Sequence, residues 1–336
     1  MTRITFFEVQ EWEKDVLQLA FPDAQFTQSK LTSENVAQYS LSEIISCFIY
    51  STIDRQVIER FTNLKLIATR STGFDHIDVA ACTERGVVLS NVPEYGSATV
   101  AEHTVALILS LTRKIYQSVN QAKTLNFEHD QIRGVDLEGK TIGIIGLGKI
   151  GQHVLQIARG FGMEAIVYNR TRDDALQQKL GFQYADLQTL LQKSDVVTLH
   201  LPFNAETKHV INKQNITMFK KGSYLINTAR GGLIETEAIV MGLEAGILEG
   251  VALDVLEEEK ELGEEAIILT SEYRSKVNMQ NLVYDHMLMN HPKVLITPHN
   301  AFNSREALAR ITHTTIETIK AFLLGNVTNA VNPRKQ

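Results

Sequence analysis

Three kinds of polar side chain stand just beyond apolar runs of the sequence, and together they suit the reduction of a carbonyl group. Arg230 follows one run, three carboxylates (257–259) follow the next, and His299 follows the last. Histidine is the usual proton donor near neutral pH, and a nearby carboxylate favours its charged form. Arginine can hold a carboxylate through two hydrogen bonds and polarise a neighbouring carbonyl. The combination favours hydride transfer to a 2-oxo acid, which carries both groups side by side.

A glycine pattern supplies a site for the cofactor that hydride transfer requires. Gly146, Gly148 and Gly151 have the GxGxxG spacing, and they stand between an apolar strand pattern and a helix pattern. The first glycine permits a tight turn, the second lets backbone approach a pyrophosphate, and the third lets the helix pack against the strand. The N-terminal N–H groups of that helix then face the anion. We therefore predict that a nicotinamide dinucleotide binds at this turn.

The elements that must position these residues alternate between apolar β-branched runs and amphipathic helical patterns. Such alternation indicates parallel sheets covered by helices on both faces, with ligands bound at the carboxyl ends of the strands. Long helices are predicted over 97–125, joining two α/β units, and over 304–325, after the last strand. The predicted strands form two series: 4–9, 44–50, 64–71 and 87–92, then 141–146, 164–169, 196–201, 222–230, 250–255 and 293–298.

Bulk composition argues against several other classes of protein. The 336 residues suffice for two hydrophobic cores. Lys and Arg number 33 against 39 Asp and Glu, a net charge of −6, which disfavours nucleic acid or an anionic membrane as a partner. We find no signal-peptide core or membrane-spanning run, and we expect a cytoplasmic protein. Cys47 and Cys82 lack metal-type spacing, so we expect reduced thiols and no metal site.

From about residue 64 to about residue 305 the sequence resembles the D-isomer-specific 2-hydroxyacid dehydrogenase family. Two features resemble the D-lactate dehydrogenase-like branch in particular: Tyr95 in VPEYGSATVAEH, and HNAF at 299–302. The motifs that carry the wider resemblance are RSTGFDHID (70–78), VAEHTVALIL (100–109), GIIGLGKIG (143–151), DVVTLHLP (195–202), LINTARGG (225–232), GVALDVLEEE (250–259) and TPHNAF (297–302).

The resemblance implies an α/β fold of two Rossmann-like or flavodoxin-like parallel-sheet domains, with an active-site cleft between them. Residues 1–100 plus 303–336 would form the substrate domain, and residues 101–302 would form the dinucleotide-binding Rossmann domain. The family is typically a homodimer joined through its cofactor domains, so a homodimer is expected.

The resemblance also implies a role for individual residues. Arg230 would bind and polarise the substrate, His299 would be the acid and base, and Glu259, five residues after Asp254, would pair with His299. The backbone around Thr72 and Gly73 would receive the substrate carboxylate, and Tyr95 would lie in the active site. The matching cofactor-binding positions are Gly146, Gly148, Lys149, Ile150, Gly151, Asn169, Arg170, Leu201, Pro202, Thr207, Thr228 and Asp254.

The stretch VYNRT (167–171) bears on which nicotinamide cofactor is used. Counted from Lys149, Asn169 falls where NAD-preferring members of the family place Asp. That acid binds the ribose hydroxyls and repels a 2′-phosphate. Asn169 removes the repulsion, and Arg170 and Arg172 add positive charge at the same place. The sequence therefore favours NADP(H), with NAD(H) possible.

Several alternatives stay open at this point. The substrate is a small 2-oxo or D-2-hydroxy acid of the lactate, glyoxylate or hydroxypyruvate type, and its side chain is not determined by the sequence. A phosphoglycerate- or phosphite-type dehydrogenase of the same superfamily is a second interpretation. A nucleotide-sensing binding protein, like the corepressors that share the fold, is a third. Two departures from the family are Lys260, where Pro is common, and an insertion at 272–292. The insertion leaves the substrate's size open.

Overall fold

The computed structural model describes residues 2–257 and 279–332. The chain divides into two compact units, one comprising Met1–Gly96 with Asn303–Gln336 and the other Ser97–Phe302. The first unit is built on a five-stranded sheet and the second on a seven-stranded sheet. All described strand pairs are parallel, so the predicted fold class of two α/β units with parallel sheets is confirmed.

The first unit has its strands in the order β2-β1-β3-β4-β5. They are β1 (Ile4–Phe6), β2 (Gln25–Phe26), β3 (Ile44–Cys47), β4 (Leu66–Thr69) and β5 (Val88–Ser90). Every residue of β3 and β4 is buried, as expected for strands covered on both faces. Three helices, α1 (Glu11–Ala20), α2 (Arg55–Glu59) and α3 (Val79–Glu84), connect these strands, and a 3-10 turn spans Val36–Tyr39.

The second unit has the strand order β12-β11-β10-β9-β6-β7-β8. Its helices are α4 (Ser97–Thr112), α5 (Ile115–Lys123), α6 (Lys149–Gly160), α7 (Asp174–Leu180), α8 (Leu187–Lys193), α9 (Thr236–Glu244) and α10 (Met279–Met289). Its strands are β6 (Thr141–Ile145), β7 (Glu164–Tyr168), β8 (Gln183–Tyr184), β9 (Val196–Leu199), β10 (Ser223–Asn227), β11 (Leu248–Leu253) and β12 (Val294–Ile296). Short 3-10 turns lie at Asp130–Ile132, Ile216–Met218 and Gly231–Leu233.

The order of the strands locates the ligand crevice of the second unit. The chain runs outward from β6 to β8 on one side, and β9 then pairs with β6 on the other side. In open sheets of this kind, ligands bind at the carboxyl ends of the strands where the direction of winding reverses. The glycine turn follows β6 directly, so it lies at this point.

Residues on the two faces of the second sheet pack into separate hydrophobic clusters. Ile144 packs with Leu107 of α4 and Val154 of α6 on one face. Ile145, the next residue of β6, packs with Leu190 and Leu225 on the other. Helix α4 is therefore held on the same face of the sheet as α6, the helix that follows the glycine turn.

The single long helix predicted over 97–125 is wrong. The chain forms α4 and α5 instead, and Lys114 between them has φ of +50°, in the left-handed region that ends a right-handed helix. The N–H of Val135 donates to the carbonyl of Thr112 at 2.8 Å, so a later segment covers the end of α4. The apolar spacing of α4 ends at Leu111 and resumes at Ile115, and the pattern therefore did not reveal the break.

The final helix, α11 (Arg305–Leu323), belongs to the first unit. Its residues Ile316 and Ile319 pack in a cluster with Phe6 and Leu66 of the first sheet. The two-residue strands β2 and β8 were not predicted, because an alternating pattern cannot be recognised over so short a run. Among the described residues, none of the helices is long and apolar enough to span a membrane.

Candidate active site

The glycine turn after β6 is shaped by contacts that exclude larger side chains. Gly146 has φ of +98°, and its N–H donates to the carbonyl of Tyr168 at 2.9 Å. A Cβ on Gly146 would lie 2.8 Å from the backbone carbonyl of His200, after strand β9. Glycine is therefore required both for the backbone conformation and for the close approach.

The same turn leaves room on its outer side. A Cβ on Gly151 would lie 2.3 Å from the carbonyl oxygen of Gly146, so helix α6 packs directly against the turn. Apart from Gly148 itself and its chain neighbours, no described residue has an atom within 4 Å of a Cβ built on Gly148, the N-cap of α6. This open position adjoins Lys149 and Ile150, in the first turn of the helix, where N–H groups attract anions. The turn thus fits a pyrophosphate.

At the end of β7, Asn169 is tied to the glycine turn. Its side-chain oxygen accepts the N–H of Leu147 at 3.1 Å, and its amide nitrogen donates to the carbonyl of Thr171 at 2.7 Å. The first bond requires an acceptor and the second requires a donor, so an amide satisfies both contacts. A carboxylate here would keep the first bond and lose the second.

Two arginines follow Asn169 on the protein surface. Arg170 Nη1 lies 3.2 Å from Glu206 Oε2, in an ion pair whose side chains are 87% and 75% exposed. Arg172 lies over the ring of Tyr184, with its guanidinium carbon 5.7 Å from the ring centre. Because exposed ion pairs contribute little stability, the Arg170 guanidinium can exchange Glu206 for another anion at small cost.

The loop after β9 is held by its own hydrogen bonds beside the glycine turn. The hydroxyl of Thr207 donates to the carbonyl of Pro202 at 2.7 Å, and the Thr207 N–H donates to Asn204 Oδ1 at 3.1 Å. Leu201 contacts Gly146, since its Cδ2 lies 2.9 Å from where a Cβ of that glycine would be. Burial lowers the pKa of the preceding His200 to about 3, so this histidine stays neutral near pH 7.

The loop after β10 carries Arg230, and buried Asn227 shapes it. The Asn227 amide donates to the carbonyl of Arg230 at 2.8 Å, and its oxygen accepts the N–H of Ala229 at 3.0 Å. The Arg230 guanidinium reaches back to the carbonyl of Ala229 at 2.7 Å. Thr228 lies 2.8 Å, hydroxyl to hydroxyl, from Thr104 of helix α4.

This loop also touches the loop after the neighbouring strand β11. A Cβ on Gly231 would lie 2.0 Å from the carbonyl oxygen of Leu256. The N–H of Asp254 donates to the carbonyl of Asn227 at 2.9 Å. The position of Arg230 is therefore fixed relative to the end of β11.

Asp254, at the end of β11, holds the loop that carries His299. Its side chain is buried, and its carboxylate accepts the hydroxyl of Thr297 and the N–H groups of Asn300 at 2.8 Å and Ala301 at 2.9 Å. His103 Nε2 lies 3.5 Å from the same carboxylate. Burial acts to raise the pKa of Asp254, but the hydrogen bonds from His103, Thr297 and the two N–H groups together lower it below its usual value.

His299 has an unusual backbone conformation. Its φ is +49°, in the left-handed region, and its N–H donates to the carbonyls of Asp254 and Thr297, both at 2.9 Å. Its ring lies edge-on to Phe302, with 6.2 Å between the ring centres. The HNAF segment thus turns sharply around the end of β11, and this turn directs the imidazole.

Glu259, predicted to pair with His299, lies outside the described residues, as does the first part of the insertion at 272–292. The nearby Glu257 is described. Its carboxylate lies 2.6 Å from His209 Nε2 and accepts the hydroxyl of Thr236 at 3.0 Å. Among the three carboxylates at 257–259, Glu257 is therefore engaged with the loop after β9 and the start of α9.

In the first unit, the predicted substrate residues lie at the carboxyl ends of adjacent strands. The hydroxyl of Thr72 donates to the carbonyl of Val92 at 2.7 Å, so the segment after β4 is joined to the segment after β5. The carbonyl of Gly73 accepts the Ser71 hydroxyl at 2.6 Å. The carbonyl of Tyr95 accepts a hydrogen bond from Arg310 of α11 at 2.6 Å.

Sequence reasoning missed four residues that shape the second unit's site: His103, Thr104, Asn227 and His209. The VAEHTVALIL segment did contain His103 and Thr104, but on a helix pattern such residues are typical of a solvated face. Their partners, Thr297 and Thr228, lie far away in the sequence, so only the folded chain reveals them.

Comparisons with known proteins agree with this geometry. A family model described as D-isomer specific 2-hydroxyacid dehydrogenase, NAD binding domain, matches residues 105–301. The 2-hydroxyacid dehydrogenase homolog 1 of Schizosaccharomyces pombe is 33% identical over 331 residues, covering 96% of this chain and 97% of that protein.

Two solved structures are also similar along the whole chain. D-lactate dehydrogenase from Aquifex aeolicus, complexed with NAD and lactic acid, has a TM-score of 0.88 and 33% identity, covering 99% of this chain and 100% of the other. The pyruvate reductase of Chlamydomonas reinhardtii has a TM-score of 0.86 and 33% identity, covering 100% and 98%.

Proposed function

Because the chain belongs to the D-isomer-specific 2-hydroxyacid dehydrogenase family, we propose that it reduces a small 2-oxo acid with Arg230, Glu259 and His299 as catalytic residues. The class of reaction is hydride transfer between a nicotinamide cofactor and the carbon of a CH–OH or C=O group. The observation that supports these roles is the joining of three loops, after β10, β11 and β12, at the edge of the sheet that carries the glycine turn.

Arg230 binds the substrate in this proposal. Its guanidinium can hold the 2-oxo acid's carboxylate through paired hydrogen bonds and polarise the adjacent carbonyl. Asn227 and Gly231 restrain the loop on both sides of Arg230. Such restraint supports the role, since bidentate binding requires an accurately placed guanidinium.

His299 supplies the proton. In the direction of reduction its imidazolium donates a proton to the carbonyl oxygen, and in the reverse direction the imidazole accepts it from the hydroxyl. When bound, the nicotinamide supplies or accepts the hydride. Glu259 pairs with the imidazole and favours its protonated form. On the first unit, the backbone at Thr72 and Gly73 receives the substrate carboxylate, and Tyr95 contacts the substrate.

The cofactor is held by the residues around the glycine turn. Gly146, Gly148 and Gly151, with Lys149 and Ile150, receive the pyrophosphate, which the open position beside Gly148 supports. The adenosine side is bordered by Leu201, Pro202 and Thr207, and Thr228 lies at the nicotinamide end. Asp254 does not bind the cofactor directly in this proposal. Its buried carboxylate instead holds the loop that carries His299, beside the nicotinamide end.

We propose a preference for NADP(H) over NAD(H). Asn169 is uncharged and hydrogen-bonded to the glycine turn, so no carboxylate stands at this position to repel a 2′-phosphate. Arg170 and Arg172 supply positive charge beside it. NAD(H) is the alternative, and it is the cofactor in the solved Aquifex aeolicus relative.

Exposed apolar side chains favour a homodimer formed through the second unit. Tyr116 on α5 and Leu125 and Phe127 just after it are 59%, 82% and 70% exposed. Large apolar side chains exposed within one short segment suit a protein interface. A cytoplasmic location accords with Cys47 and Cys82, which are buried free thiols.

A panel of 2-oxo acids, assayed with NADPH and with NADH, tests this function. Pyruvate, glyoxylate, hydroxypyruvate and bulkier 2-oxo acids belong in the panel, together with phosphohydroxypyruvate for the phosphoglycerate-type alternative. We expect at least one unphosphorylated 2-oxo acid to be reduced, with the lower KM for NADPH. Tight cofactor binding without turnover of any acid would instead favour the corepressor-like alternative.

A further inference from the structure

Two consecutive residues of helix α4 contact the two loops that carry Arg230 and His299. Thr104 contacts Thr228, two residues before Arg230, and His103 contacts Thr297, two residues before His299. We propose that His103 and Thr104 are positioning residues that hold the two catalytic loops in register from one helix. This inference rests on the proposed function of Arg230 and His299.

The contact of Thr104 has a defined direction. The Thr104 hydroxyl donates its proton to the carbonyl of Val100 at 2.7 Å. The hydroxyl of Thr228, 2.8 Å away, must therefore donate to Thr104. Both side chains are buried, so this bond is shielded from water. It fixes the start of the Arg230 loop against α4.

The hydrogen bond between His103 and Thr297 also has a defined direction. The Thr297 hydroxyl donates its proton to Asp254, so its oxygen can only accept from His103 Nε2, 3.2 Å away. His103 therefore carries a proton on Nε2, and this N–H also lies 3.5 Å from the Asp254 carboxylate. Nε2–H of His103, the Thr297 hydroxyl and the Asp254 carboxylate thus form one chain of hydrogen bonds.

That chain restrains the backbone on both sides of His299. Thr297 precedes the histidine, while Asn300 and Ala301 follow it, and all three donate to Asp254. The left-handed φ of His299 persists only when its surroundings hold it. His103 anchors this assembly to α4, which packs against the sheet through Leu107.

Successive residues of an α-helix point about 100° apart, so His103 and Thr104 can reach different loops from the same turn. A displacement of about 1 Å in a catalytic group can cost roughly 100-fold in rate. Holding the proton donor and the substrate-binding arginine from one rigid helix limits such displacement. Each contact should therefore affect a different kinetic constant.

Three variants separate the two contacts. His103→Ala should lower kcat about tenfold or more, within the range for a displaced catalytic group, and leave the KM for cofactor unchanged. His103→Gln should recover much of that loss, because its amide can donate to Thr297. Thr104→Val should mainly raise the KM for the 2-oxo acid, since it removes the bond that holds the start of the Arg230 loop. His313→Ala, at an exposed position on α11, is the matched control and should resemble the wild type.

A double variant distinguishes positioning from a general structural role. If His103 acts through His299, its loss should have little further effect once His299 has been replaced by alanine. Equal losses of kcat from His103→Ala in the wild-type and His299→Ala backgrounds would overturn the proposal. So would a His103→Gln variant as slow as His103→Ala.

Hydrogen exchange tests the inference without relying on turnover. The amides of His299, Asn300 and Ala301 donate to Asp254, so they should exchange several-fold faster in His103→Ala than in the wild type. Unchanged exchange at these amides would overturn the positioning role. Failure of the wild type to reduce any 2-oxo acid would instead overturn the proposed function, and the exchange result would still stand.

Discussion

The carboxylate of Asp254 accepts the N–H of Ala301 at 2.9 Å, so the end of strand β11 holds the loop that follows strand β12. The same carboxylate accepts the Thr297 hydroxyl and the N–H of Asn300. His299 stands between these donors. The orientation of the proposed proton donor therefore depends on a residue that is itself buried.

Replacing Asp254 with Asn should destabilise the protein and slow the reaction. The new amide group would face a backbone N–H, and an unsatisfied buried donor costs about 1–3 kcal/mol in the free energy of unfolding. Chemical denaturation gives this change, and steady-state assays give the accompanying loss of kcat. An Asp254→Asn protein with wild-type stability and kcat would contradict the anchoring role.

The stability of the wild type should also depend on pH through Asp254. The folded pKa of this carboxyl lies below its usual value, so ionised Asp254 stabilises the folded state above about pH 4. That contribution is lost as pH falls through the folded pKa, and it should be absent in Asp254→Asn. Unfolding measured from pH 3 to pH 7 gives the comparison, with exposed Asp136→Asn as the control that should follow the wild-type curve.

Two glycines of helix α6 should respond in opposite ways to alanine. Gly151→Ala would place a Cβ 2.3 Å from the carbonyl oxygen of Gly146, so the turn must shift, and we expect cofactor affinity to fall by about tenfold or more. A Cβ on Gly160 would meet no described atom within 4 Å outside its chain neighbours and the backbone of its own helix. Gly160→Ala should raise the free energy of unfolding by about 0.5–1 kcal/mol, the difference in helix propensity, without changing affinity. Fluorescence titration and denaturation measure the two effects, and equal affinities for the two variants would contradict the account of the turn.

Asn169→Asp should shift cofactor preference toward NADH. The carboxylate can still accept the N–H of Leu147, but it loses the bond to the Thr171 carbonyl and repels a 2′-phosphate. The ratio of kcat/KM for NADPH to that for NADH measures the shift. A wild type with a several-fold lower KM for NADH than for NADPH would overturn the proposed preference before any variant is made.

Glu206→Gln should strengthen NADPH binding. Glu206 lies 3.2 Å from Arg170, where it competes with a bound phosphate for the guanidinium and repels that phosphate. Exposed pairs of this kind are worth less than about 1 kcal/mol, so the KM for NADPH should fall by only a few-fold. The KM for NADH should stay the same, and the effect should vanish in an Arg170→Ala background. A parallel change for both cofactors would show that Glu206 does not act on the 2′-phosphate.

Local patterns predicted the fold well, since nine of the ten predicted strands contain an observed strand within their bounds, and the tenth, 250–255, overlaps β11 (Leu248–Leu253). The spacing and composition of apolar residues are enough to predict buried parallel strands such as β3 and β9. They were not enough for the break at Lys114, because the apolar spacing resumes at Ile115 and a left-handed φ leaves no mark in the pattern. The placement of α11 in the first unit likewise depends on packing with residues near the other end of the chain.

The candidate site could be predicted where the type and spacing of the residues indicate their chemical role. Gly146 and Gly151 were identified from spacing, and Arg230 and His299 from their places after strands. The contacts of His103 and Asp254 were not, since His103 and Thr297 are 194 residues apart in the sequence. A histidine within a helix pattern carries no signal that it supports a distant loop.

We propose that the chain converts a 2-oxo acid to the D-2-hydroxy acid with His299 as proton donor. The most direct test is to identify the product that wild type and His299→Ala form from the best 2-oxo acid of the panel, using chiral chromatography. We predict that the wild type forms only the D isomer and that His299→Ala forms it at least a hundredfold more slowly, the lower range for loss of a general acid. An L or racemic product, or near-normal turnover by His299→Ala, would contradict the claim.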